Sequence, residues 1–217
     1  MRNDSQAAFD RAVESLSPSI EKARSDWQMT ALEFRAHQNQ SDWRDHKAAM
    51  ELILYLANLE YELKVLLQRF HQDFVNGAVW EKYLGLALFE GVTAVPRMAA
   101  RVRQDLSRKL GRDNEMVLNF DAATKRFNLT AKQFRADTEF WQLLVRIRNE
   151  SAAHHTGKGD NLMEMQALWA LSTGYLGVTG AHSSESRIGR YALELGRAAH
   201  RLGSDLRSSG ELSARAE

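Results

Sequence analysis

Cysteine is absent from the chain, which removes disulfides, thiolate nucleophiles and cysteine-based zinc or iron–sulfur sites from its chemistry. Proline is nearly absent: only Pro18 and Pro96 occur, each where a helix could begin. No stretch alternates apolar and polar residues convincingly enough to be a strand. The N-terminal MRNDSQAAFD has no apolar core of the kind a signal peptide needs. The longest uncharged run, MQALWALSTGYLGVTGAHSS (165–184), is rich in Gly, Ser and Thr and too poor in strongly apolar side chains to cross a bilayer comfortably. Together these absences predict a soluble, cytoplasmic protein without membrane association.

What is present is an ordinary globular composition. The 217 residues are 44% apolar and 26% charged, enough for one domain with a full core and too few for two large ones. Net charge is only +1, yet 21 of the 29 basic residues are arginine, the side chain suited to bidentate phosphate contact. The basic residues are unevenly spread. Arg97, Arg101, Arg103, Arg108, Lys109 and Arg112 stand against a single acid, Asp105. A solvated helix face explains such a run, and an RNA-facing surface is the functional alternative.

Apolar residues recur at three- and four-residue spacing nearly everywhere, so the sequence predicts an all-α bundle. Helices are expected over about 4–16, from Pro18 to about 36, over 42–76 and from there to Glu90. GVTAVP is expected to break the chain before a basic helix from Pro96 to Leu110, which Gly111 terminates. A helix at about 114–127 follows; Thr130 and Gln133 form a capping-box pattern for a short helix, and Asp137 or Thr138 caps the next. TGKGDN reads as a loop, Asn161 and Glu164 open a helix to about 176, and a basic amphipathic helix spans about 183–208. The whole chain is one all-α domain, with an N-terminal helical extension (1–41), a core (42–176) and a C-terminal basic helix and tail (177–217).

The stretch LVRIRNESAAHH (144–155) raises a specific question. On a wheel of about 100° per residue with Leu144 at zero, Phe140 falls at about −40°, Ile147 at about −60°, Trp141 at about +60° and Arg148 at about +40°. Arg148 therefore lies within the apolar arc, whereas Arg146, at about 200°, belongs to solvent. An arginine so placed snorkels from the helix end, pairs with a buried carboxylate, or is held at a cleft to meet a phosphate.

RNESAAHH resembles the signature of HEPN domains, all-α proteins in which an Arg is followed by a polar residue and, after four to six further residues, by a His. Arg148 matches the Arg and Asn149 the polar residue, while His154 and His155 both fit the spacing. LANLEYELKVLL is similar to an early helix of that family, and the resemblance covers residues 42–176. It implies a metal-independent endoribonuclease that uses no cofactor: a ribose 2′-OH attacks the adjacent phosphate, leaving a 2′,3′-cyclic phosphate and a free 5′-OH. Histidine suits the proton transfers, and Arg148 would stabilise charge on the phosphate oxygens. Asn149 would orient the phosphate or the histidine.

The resemblance further implies a homodimer with the site at a two-fold interface, RNA as partner, and an antitoxin or activator protein in a toxin–antitoxin or phage-defence setting. If the helix runs on, His155 returns to the face of Arg148; if it breaks at Ser151, His154 turns inward. Two departures stand out. HHTG lacks the Tyr that some HEPN toxins carry two residues beyond the His, and Glu150 adds an acid beside the proposed phosphate site.

Other classes fit less well. A non-catalytic bundle that binds RNA or protein is the main rival. A helix-turn-helix reading of residues 129–150 fails because its recognition helix is mostly Phe, Trp, Leu, Val and Ile. A ferritin-like di-metal site lacks its Glu-x-x-His pairs, and TGKGD lacks P-loop spacing.

Overall fold

The computed structural model describes Arg11 and residues 15–73, 77–153 and 187–208. The described residues form an all-α bundle without strands, built from α1 (Leu16–His37), α2 (Trp43–Gln72), α3 (Gly77–Leu110), α4 (Glu115–Ala136), α5 (Thr138–Ala153) and α6 (Arg187–Ser208). None of these helices is long and apolar enough to cross a membrane. The helix expected at 161–176 and the TGKGDN loop lie outside the described residues, as does all of the helix expected at 4–16 except Arg11, Ser15 and Leu16.

Each helix contributes one apolar stripe to a common core. Leu52, Leu56, Leu59, Leu63 and Leu67 of α2 meet Leu84, Leu88, Val92 and Val95 of α3, all at most 2% exposed. Such a stripe, repeating every three or four residues, buries against its neighbours and drives the helices together. α2 packs on α1, α3 and α6, while α5 packs on α3 and α4. The basic C-terminal helix is a core element, because Ile188, Leu195, Ala199 and Leu202 of α6 are buried in the same cluster.

Three local expectations are corrected. The break at GVTAVP does not occur: α3 is one continuous 34-residue helix with Pro96 inside it. Proline removes the amide that would bond to the carbonyl four residues back, here Val92, and Arg135 of α4 supplies a substitute donor at 2.9 Å. The Thr130–Gln133 pattern caps nothing, since α4 continues from Glu115 to Ala136 and Ala131 and Phe134 extend the stripe of Val117, Phe120 and Phe127. Finally the helix expected over 42–76 ends at Gln72, and α3 begins at Gly77.

Two chain reversals follow the expected chemistry. Gly111 takes a φ of +88°, the left-handed conformation that glycine adopts without a Cβ penalty, and Asn114 then caps α4 by accepting from the Met116 amide at 2.9 Å. Asp137 caps α5, accepting from the Phe140 amide at 3.3 Å. The same carboxylate accepts from the Tyr191 hydroxyl at 2.7 Å, so one side chain ties the α4–α5 junction to α6.

Candidate functional site

Helix α5 positions the candidate residues by packing on α3. A Cβ added at Gly85 would lie 3.1 Å from Ile147 Cδ1 and 3.4 Å from Leu144 Cδ2, and one turn along, Phe89 stacks on Trp141 at 5.2 Å. Contacts that advance along α3 while receding along α5 make the two helices antiparallel. The C-terminal end of α5, with Arg148 and Asn149, therefore lies beside the N-terminal end of α3.

Arg148 is exposed, which corrects the wheel-based placement within a buried arc. The buried side chains of α5 are Phe140, Leu144 and Ile147, so the true centre of the arc falls on the Phe140–Ile147 side and leaves Arg148 at its margin. Its Nη1 lies 3.5 Å from Asn149 Oδ1, the outer limit of a hydrogen bond. Among the described residues no carboxylate pairs with it. Arg146 is exposed too, as expected.

His154 and His155 lie outside the described residues. The helix that leads to them runs through Ser151 to Ala153, past the position at which an early end would have turned His154 inward.

The basic stretch is not brought to Arg148. With α3 and α5 antiparallel, Arg97 is about 20 Å along α3 from the level of Arg148, at 1.5 Å per residue, and Arg101, Arg103 and Arg108 lie farther still. Local partners occupy these arginines. Arg103 makes a two-pronged contact with Asp121, its Nε 2.7 Å from Oδ1 and its Nη2 2.9 Å from Oδ2. Arg101 reaches Glu51 at 3.8 Å, Arg108 reaches Asp105 at 3.6 Å, and Arg97 donates to the Thr93 carbonyl. All four side chains are exposed, so the run behaves chiefly as a solvated, partly neutralised face.

Glu81 was not anticipated. It sits on α3 one turn before Gly85, fully buried, and among the described residues neither carboxyl oxygen has a hydrogen-bond partner. Burial pushes its pKa up to about 9, so it is a neutral acid at pH 7, because a lone buried carboxylate is costlier than a bound proton. The register places it level with the last turn of α5. Its spacing from Leu84, Gly85 and Leu88 is the signal that a wheel drawn on α3 would have shown.

Comparison with known proteins adds no assignment: no family model matches the chain, and no curated protein or solved structure matches it significantly.

Proposed function

We propose that the chain is a metal-independent endoribonuclease of HEPN type that acts as a homodimer, with Arg148 and Asn149 at the mouth of the site and His154 or His155 transferring protons. The observation that carries this reading is Arg148 itself. It projects to solvent from the end of a packed helix without a described carboxylate partner, whereas Arg103, Arg126 and Arg187 are neutralised by Asp121, Asp205 and Glu139. A free guanidinium held on a rigid helix end is available to a phosphate, from RNA or from a site completed by a second protomer.

The N-terminal end of α3 adds support for self-association, since Val79 and Tyr83, four residues apart on one face, are 48% and 50% exposed. Cleavage in this scheme leaves a 2′,3′-cyclic phosphate and a free 5′-OH. The test is incubation of the full chain with RNA in EDTA, comparing wild type with Arg148→Ala and with the double variant His154→Ala/His155→Ala, and with end-group analysis of the products. Cleavage that both variants retain sinks the assignment, and RNA binding without cleavage favours the reading as a non-catalytic RNA-binding or protein-interaction bundle.

A further inference from the structure

A second constellation of charged side chains, sharing no residue with the Arg148 site, occurs where α1, α2 and α6 meet. Glu60 of α2 is 4% exposed, and its two oxygens hold different nitrogen groups: Oε1 is 2.5 Å from Lys64 Nζ and Oε2 is 3.0 Å from His200 Nδ1. Lys64 also donates to the Ser19 carbonyl of α1 at 3.4 Å.

These groups line a cavity of about 570 Å³, within the range of small-molecule sites, about 300–1,000 Å³. A purely structural clamp between helices would be expected to pack its surroundings, and among the described residues this one does not. A Cβ built on Gly196 of α6 meets no described atom within 4 Å. The space is bounded by Leu63, Leu67 and Leu193 and rimmed by Lys22, Arg197 and Arg201. Glu60 is the only acid among the described lining residues, and Lys64 already balances it. Lys22, Arg197 and Arg201 thus leave an excess positive charge over an apolar floor.

We infer that this cavity binds a small organic phosphate monoester, with the phosphate on Arg197 and Arg201 and the apolar body against the leucines. A dianionic head matches several uncompensated cations better than a single carboxylate does. The apolar floor supplies what inorganic phosphate alone cannot use.

Calorimetric titration of the full chain with phenyl phosphate tests this. The expected result is saturable one-to-one binding, tighter than that of inorganic phosphate or phenylacetate. Arg197→Gln/Arg201→Gln, which alters only exposed side chains, should weaken binding at least about tenfold, the order of a lost charge-assisted contact. Gly196→Leu should abolish it by filling the space, while Arg126→Gln, on an exposed ion pair elsewhere, should leave it unchanged. Absence of binding to the folded wild type, equal affinity for phenylacetate, or binding that survives the double Arg variant would each overturn the assignment.

Discussion

The guanidinium of Arg135 donates to the carbonyl of Val92 at 2.9 Å, and that carbonyl is the acceptor that Pro96 leaves unfilled four residues later in the same helix. Arg135 also lies over the ring of Trp141, 5.5 Å from its centroid, and Trp141 stacks on Phe89. One cation from α4 therefore repairs the proline position in α3 while resting on α5. Removing it by Arg135→Ala should cost about 1–3 kcal/mol. In a Pro96→Ala background the new amide can fill the Val92 carbonyl, so the same substitution should cost distinctly less. A double-mutant cycle by urea denaturation measures this coupling; equal costs in both backgrounds would show that Arg135 acts through Trp141 alone.

That relationship explains why part of the fold was legible in the sequence and part was not. The stripes of α2 and α6 follow from spacing alone, as does the turn at Gly111, while spacing leaves the cap of α5 open between Asp137 and Thr138. Pro96 was misleading because its compensating donor stands 39 residues away, and a helix-breaking signal carries no information about a distant arginine. The Thr130–Gln133 pattern failed for a related reason: Phe134 buries with Phe127, and tertiary packing outweighs a local cap. A wheel centred on Leu144 puts Arg148 too deep, because spacing alone does not say which side of α5 meets α3. The same arc test on α3 would have singled out Glu81.

Because Arg148 is exposed and Ile147 is 2% exposed, adjacent substitutions should separate function from stability. Arg148→Ala should alter unfolding free energy by no more than about 0.5 kcal/mol, and in the nuclease reading it should reduce cleavage by about 10²-fold or more. Ile147→Ala should cost about 2–5 kcal/mol. Denaturant melts and cleavage assays on the same preparations check both. A large stability loss in Arg148→Ala would show that the residue holds the bundle together.

Glu81 makes a signed prediction about pH. Its pKa rises from 4.5 to about 9 on folding through burial, so between those values the folded state keeps a proton that the unfolded chain releases. Its contribution to stability is fully present below about 4.5 and is lost as pH climbs through the folded value, at up to about 1.4 kcal/mol per pH unit. Glu81→Met removes the titrating group while keeping an apolar side chain of similar length. The variant should gain stability relative to wild type progressively from pH 5 to pH 9. A difference that stays flat over that range would mean that Glu81 is ionised in the folded protein.

Two buried glycines should respond oppositely to the same substitution. A Cβ on Gly91 would lie 2.9 Å from both Leu195 Cδ2 and Leu59 Cδ2, where α2, α3 and α6 converge, while one on Gly196 meets no described atom within 4 Å. Alanine is the better helix former by about 1 kcal/mol, so Gly196→Ala should stabilise by up to that amount. At Gly91 the same propensity gain is opposed by overpacking of about 1–3 kcal/mol, which should leave Gly91→Ala neutral to destabilising. Thermal and urea unfolding of the two variants decide the matter. Equal stabilisation of both would show that Leu59 and Leu195 yield without cost, and that the close approach of the three helices at Gly91 does not require a glycine.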